Sequence, residues 1–394
     1  MKRKTVGFIL AMMCLSLTPA AVHAEAENAQ TAEETQSTEN NLSDNLYDFQ
    51  MKIGDEVYQF PMYYEDFVAR GWTLGKNDDP SMGIGTNSYG SVTFYKGENR
   101  VYASALNLGI NEMPLEQCLI AGIDLDGSYD FDLENIGVEL PGGIVMGTSN
   151  ADDIQAAYGS PSDTYEGDLY TKYSYEKDIY EEVNLYVYKD SNTLKKVEIR
   201  NFSEPEGYDK GSVSDEIPEI VTAYTVPTEL GKEILEPQVE YCGDLYTLPA
   251  PLSAFIENGW EMQDVSDDAY VAGRGLEFID IMRDNQTVHM SVYNFTENAT
   301  AIENCFVTSL DVGAYDGEAI TLKLSGDITL GTKKADLIAA AEAKGYLYSE
   351  DGEYLNVYKT ADTKIDHRIQ CWFNADEDPE AVASVEYRKE ILDE

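Results

Sequence analysis

The segment Pro61-Met-Tyr-Tyr-Glu-Asp-Phe67-Val-Ala-Arg-Gly71-Trp72 returns 188 residues later as Pro249-Ala-Pro-Leu-Ser-Ala-Phe255-Ile-Glu-Asn-Gly259-Trp260. A chain with such a repeat is built twice, and every other feature has to be placed within that plan. Each copy of the segment reads as a proline, one or two helical turns, a glycine and a strand that begins at tryptophan. Gly71 and Gly259 sit where a helix C-terminus calls for a left-handed residue, a conformation glycine adopts without steric cost. Trp72 and Trp260 then read as buried anchors of the two cores.

The register of the repeat continues. Ser91–Tyr95, a turn at Lys96–Asn99 and Arg100–Asn107 make a hairpin in the first copy, and Phe278–Met282, Arg283–Gln286 and Thr287–Asn294 match it in the second. Asn107 and Asn294 are equivalent, as are Cys118 and Cys305.

A second unit follows in each copy. Gly142 to Ile154 and Gly326 to Ile338 both read as a turn, an N-cap at Thr148 or Thr332, and a helix that ends at Gly159 or Gly345. Three strands come next, around Tyr173–Tyr175, Val183–Tyr188 and Val197–Arg200 in one copy, and Tyr354–Tyr358, Arg368–Phe373 and Val385–Arg388 in the other. The expected fold class is therefore α+β, with short helices packed on antiparallel strands in repeats at 46–202 and 239–390. Residues 203–238, with prolines at intervals, read as an extended linker carrying a short strand at Ile220–Tyr224.

The stretch Ile144-Val-Met-Gly-Thr148, its short helix, Tyr158-Gly-Ser-Pro161 and the meander with Tyr173-Ser-Tyr175 resemble the helix-plus-sheet modules of the β-lactamase inhibitor protein and of the SmpA/OmlA outer-membrane lipoprotein family. The resemblance covers about sixty residues of each copy. It implies a module that binds other proteins, and no inhibitory or assembly residue of either family carries over. The second copy departs from the pattern at Ala341-Glu-Ala-Lys-Gly345, where the glycine–proline step is missing.

Lys2-Arg3-Lys4, an apolar run from Val6 to Leu17 and Val22-His23-Ala24 have the form of a secretory signal peptide at 1–24, cleaved after Ala24. Ala11, Met12 and Met13 are poor company for a lipobox at Cys14 and argue against a lipid anchor there. Residues 25–45 are polar, acidic and free of aromatics, and read as a disordered tether. The expected location is outside the cell or at its surface, with no membrane insertion once the leader is gone.

The formal charge is −46, and without residues 1–24 it is −49, from 24 cations against 73 acids. Such a surface repels nucleic acid and excludes it as a partner.

Catalytic and cofactor motifs are absent: there is no H-E-x-x-H, C-x-x-C or G-x-S-x-G, and His289 and His367 stand alone on strands. Gly83-Ile-Gly85 and Gly273-Arg-Gly275 read as loop glycines rather than a nucleotide loop. Asp124-Leu-Asp126-Gly127 through Glu134 is dense in acids, but its glycine comes too early for a calcium loop, and it reads as a solvated acidic turn. No cofactor and no metal are expected. Cys242 and Cys371, both in the second copy, are the candidate disulfide, with free buried thiols as the alternative.

Tyrosines 165, 170, 173, 175, 180, 186 and 188 crowd one stretch. Alternation puts Tyr186 and Tyr188 opposite Leu185 and Val187, and puts Arg368 and Trp372 opposite Ile369, Cys371 and Phe373. The candidate binding residues are therefore Tyr173, Tyr175, Tyr186, Tyr188, Arg368 and Trp372. Exposed aromatics on a polar sheet face suit contact with a secreted or envelope protein. They also suit stacking of sugar rings from cell-wall polysaccharide. The expectation is an exported non-catalytic protein-binding protein, with carbohydrate binding as the alternative and a carboxylate hydrolase third.

Overall fold

The computed structural model describes residues 42–392 apart from 267, 314, 315, 317–319 and 375. The expected signal peptide at 1–24, with Cys14, and most of the 25–45 segment lie outside the described residues. None of the described helices is long and apolar enough to cross a membrane.

The α+β expectation is corrected: the protein is mostly antiparallel β-sheet. Among the described residues the α-helices are α1 (Tyr64–Ala69), α2 (Ala151–Tyr158), α3 (Glu219–Thr222), α4 (Leu252–Glu257) and α5 (Lys334–Lys344). They are too short to form a layer, because the turn glycines stop them. Gly71 (φ +87°) and Gly259 (φ +85°) follow α1 and α4 after six helical residues each, and Gly345 (φ +73°) closes α5. Tyrosine-, valine- and threonine-rich segments between tight turns go into strands instead.

In the first repeat a nine-stranded sheet runs in the order Asp163–Glu166, Tyr170–Asp178, Glu181–Tyr188, Thr193–Asn201, Leu119–Asp126, Asn99–Asn107, Ser88–Lys96, Thr73–Leu74, with Met62–Tyr63 beside Leu119–Asp126. A smaller four-stranded sheet contains Gln50–Ile53 and Glu56–Gln59. The second repeat has the same order, but the strand equivalent to Leu119–Asp126 is broken into Phe306–Val307 and Ser309–Gly313. The large sheet is thereby split into two sheets of five strands. Both hairpins turn as the sequence predicts, with Gly97 (φ +65°) in one and Asp284 and Asn285 (φ +52° and +61°) in the other.

Each repeat has its own core. One cluster joins Met51, Phe67, Trp72, Phe94 and Ile123. The other joins Tyr246, Phe255, Trp260, Ile281 and Val385, and takes in Ile234 and Leu235 from the linker. Trp72 donates to the Tyr58 hydroxyl at 3.0 Å and stacks on Phe67, with ring centroids 5.4 Å apart. Trp260 stacks on Tyr241 at 5.8 Å.

Several local expectations change. Helix α2 is capped by Asn150, in a reciprocal capping box with Asp153, and not by Thr148. Helix α5 begins after Lys333 rather than at Thr332, whose hydroxyl accepts from the Thr329 N–H instead. The linker holds no strand at Ile220–Tyr224; the single turn α3 lies there, started by Pro218, whose fixed φ suits a helix entry. Cys118, Cys242, Cys305 and Cys371 are free thiols, so the Cys242–Cys371 bond is not formed. Cys118 and Cys305 occupy equivalent places, each thiol reaching the carbonyl four residues back (Pro114 at 3.5 Å, Ala301 at 3.8 Å). Burial pushes the Cys118, Cys305 and Cys371 thiols up to about 12, which makes them inert as nucleophiles.

Asn107 and Asn294 organise matching loops. Asn107 is fully buried; it donates to the carbonyls of Ile84 and Asn111 and accepts from the Gly109 N–H. Asn294 donates to Val271, Ala272 and Asn298 and accepts from the Thr296 N–H. These two loops meet where the repeats join. Gly273 donates to Ile110 O, Glu112 donates to Glu297 O, and Asn111 accepts from the Ala299 N–H. A Cβ on Gly273 would lie 1.9 Å from Glu297 O, so that glycine is required by close approach of two backbones.

Candidate functional site: the outer face of the large sheet

The inner face of the nine-stranded sheet packs on the first core, and its outer face alternates tyrosine with charged residues. Register places Lys172, Tyr186, Lys196 and Asp126 in one row across it, and Ser174, Asn184, Glu198, Asp124, Tyr102 and Thr93 in the next.

The tyrosine cluster does not form one surface. Tyr173 and Tyr175 pair with Leu185 and Val183, and face inward. Tyr175 is buried, its hydroxyl donates to Gly159 O at 3.1 Å, and burial pushes its pKa up to about 12. The cause is a bulge at the hairpin. Asp178 pairs with Glu181 but Glu176 pairs with Glu182, a slip of one residue that turns every earlier side chain of that strand over. Without the slip Tyr173 would pair with Tyr186.

Tyr186 does point outward, yet it is only 8% exposed. Its ring meets Tyr170 edge-on at 5.0 Å, the Lys196 ammonium sits 5.1 Å from its centroid, and its hydroxyl donates to Glu198 at 2.9 Å. Burial and the Glu198 charge hold its pKa far above the ordinary tyrosine value. Tyr188 is half-buried, with the Lys195 ammonium 5.6 Å from its ring. In the second repeat Trp372 and Arg368 are half-buried on the outer face: Trp372 donates to Glu353 at 3.1 Å, and Arg368 pairs with Glu386 at 3.5 Å.

Residues outside the expected set make the more open surface. Tyr95 and Tyr102 are 38% and 39% exposed on the outer face, and Arg100 lies between them with its guanidinium 5.2 Å from the Tyr102 ring. Beside them is a pocket of about 260 Å³ whose polar lining includes Ser91, Tyr102, Asp124, Glu182, Glu198 and Arg200, with Arg200 paired to Glu182 at 3.1 Å. Lys196 bridges Asp124 Oδ2 and Glu198 Oε1, both at 2.9 Å. Asp124 Oδ1 is buried without a hydrogen-bond partner. Burial raises the Asp124 pKa, with the Glu198 and Asp126 charges adding to it against the pull of Lys196. Burial works against the Lys196 ammonium, but its two carboxylates outweigh it and hold the lysine pKa above the ordinary value.

The second repeat repeats the acid. Asp311 pairs with Glu386 as Asp124 pairs with Glu198, and its pKa is likewise raised by burial and by the charges of Asp316 and Glu386. The acidic stretch expected to be a solvated turn thus starts as a strand: Asp124 and Asp126 end Leu119–Asp126, and Asp130 pairs with Arg100. Among the described residues no group of three or more acids, cysteines and histidines is placed to hold a metal. The signal that could have found the pocket is the alternation Asp124-Leu125-Asp126 itself, which fits a half-buried strand.

A carboxyl whose folded pKa is raised favours the fold in its neutral form, so that contribution is full below the unfolded value of about 3.9 and is lost as pH rises through the folded one. Asp124→Asn and Asp311→Asn are therefore expected to raise the melting temperature at pH 7, with the gap to the native protein closing below about pH 4. Calorimetry at the two pH values decides this. A lower melting temperature for Asp124→Asn at pH 7 would show that the Lys196 pair outweighs burial.

No known protein family, curated protein or solved structure matches the chain.

Proposed function

We propose that this is an exported, non-catalytic binding protein that receives a protein partner on the outer face of the nine-stranded sheet, with the Asp124 pocket taking a basic side chain of that partner. The observation that carries the reading is Asp124 Oδ1, a buried acceptor without a donor on a residue that lines a pocket with Glu182, Glu198 and Arg200, where Arg200 pairs with Glu182 at 3.1 Å and Glu198 with Lys196. A buried unpaired oxygen is destabilising by about 1–3 kcal/mol, and a donor from outside relieves it. Tyr95, Arg100 and Tyr102 beside it are the residue types enriched where partners are held. The resemblance of the helix-plus-meander unit to protein-binding modules supports the same class, and the leader-like start of the chain supports an extracellular partner.

Sugar stacking on Tyr186 is disfavoured, because Lys196 already covers that ring. Catalysis is not part of the reading, since Asp124 and Glu198 are both tied to the Lys196 ammonium.

The test is affinity capture from the envelope and medium of the source organism, with Tyr102→Ala/Asp124→Asn and Trp372→Ala run alongside. One protein should be retained by the native chain and by Trp372→Ala, and lost from the double variant. Retention of polysaccharide alone would move the site to the carbohydrate class, and an empty native column would overturn the proposal.

A further inference from the structure

A second groove lies away from that face. About 920 Å³ in volume, it runs between the linker and the second repeat. The linker is pinned on both sides of it: Ser214 forms a single parallel rung against Thr300, and the Tyr224 hydroxyl accepts from the Thr247 N–H at 3.0 Å. Between the pins the linker swings outward at Pro218 into α3 and leaves the groove open.

The lining combines exposed apolar side chains with carboxylates. Ile217, Val226 and Tyr270 are 61%, 51% and 41% exposed around it, although apolar side chains of this size gain about 1.5–3 kcal/mol each from full burial. Asp215, Glu257, Asp268 and Glu303 are exposed carboxylates on its walls, and among the described residues the lining holds no lysine or arginine. The acidic 25–45 segment of the chain itself is thereby a poor occupant, since like charges would meet.

We propose that this groove is a docking site for an extended peptide segment of a partner that alternates aliphatic residues with lysine or arginine. Aliphatic side chains would cover Ile217, Val226 and Tyr270, and the cations would face the four carboxylates. The Ser214–Thr300 rung shows that an extended chain can lie along the Thr300–Ala301 edge, the mode by which strand addition recruits peptides. The volume is near the upper end for a small-ligand site, which suits a short segment.

The test uses the full chain and a short labelled peptide of alternating leucine and lysine that carries one photo-reactive leucine, with a leucine–glutamate peptide as comparison. Fluorescence anisotropy should show saturable binding of the lysine peptide alone, with cross-links in 213–226 or at Tyr270. Ile217→Ser/Val226→Ser and Asp268→Lys/Glu303→Lys should each weaken binding about tenfold, the scale for removing two exposed ion pairs or two partly covered apolar side chains. Glu342→Lys/Asp351→Lys, on exposed residues outside the groove, should leave binding within about twofold. Cross-links elsewhere, equal binding of both peptides, no binding, or equal weakening by groove and control reversals would each overturn the proposal; the last would show that the overall negative charge does the attracting.

Discussion

Trp72→Ala is expected to lower the unfolding free energy by about 3–5 kcal/mol, the range for removing a buried tryptophan. Three terms act together. The indole is 1% exposed and lies in a cluster with Phe67, Tyr58 and Phe94, so its removal leaves a cavity among rigid rings that cannot collapse around it. The Tyr58 hydroxyl loses its donor. The strand at Thr73–Leu74 loses the anchor that fixes the edge of the sheet. Urea denaturation followed by circular dichroism measures the change, and the emission of Trp260 and Trp372 follows the second repeat in the same sample. A loss under about 1 kcal/mol would show that Trp72 is not the keystone of the first core.

Asn107→Ala is expected to be destabilising by about 3 kcal/mol, from two buried hydrogen bonds and one partly buried one, whose backbone partners at Ile84, Gly109 and Asn111 would be left unmatched. The effect should extend beyond the first repeat. Loop 108–112 hands Ile110 O, the Glu112 N–H and the Asn111 side chain to the second repeat, and Asn107 holds that loop in shape. Hydrogen exchange should therefore rise at Gly273 and Ala299, whose N–H groups donate across the junction, as well as at Gly109. Faster exchange at Gly109 with Gly273 and Ala299 unchanged would separate the loop from the junction. Asn107→Asp is the conservative comparison: it keeps the acceptor for Gly109 and loses both donations.

The tryptophan anchors and the glycine stops were readable because each depends on residues close in the chain, and the paired asparagines because the second copy repeats the first in order. A turn needs its glycine, and a hairpin carries its own chemistry. The balance of helix and strand was misjudged because the helix signals around Phe67 and Ile154 were real but only about two turns long, while strands of eight or nine residues such as Ser88–Lys96, Asn99–Asn107 and Tyr170–Asp178 make up most of the large sheet.

The binding face shows a different kind of limit. Alternation within one strand placed Tyr186 correctly opposite Leu185, and placed Trp372 opposite Cys371 and Phe373. Alternation cannot say which face of the next strand matches it. That depends on pairing register, and one extra residue beside Asp178 sends Tyr173 and Tyr175 to the core. The Asp124 pocket draws on five strands between positions 91 and 200, so no local window contains it.

That the protein is made twice, where its turns fall and which aromatic anchors each core were all written in the order of its residues, since these follow from local backbone chemistry and from apolar side chains that have to leave water. Folding in three dimensions was needed to settle which tyrosines meet solvent, that Lys196 covers Tyr186, that one oxygen of Asp124 is buried without a donor, and that the linker stands off from the second repeat to leave a groove. Those outcomes depend on strand register and on contacts between residues far apart in the chain, where a shift of one residue exchanges the inside of a sheet for its outside.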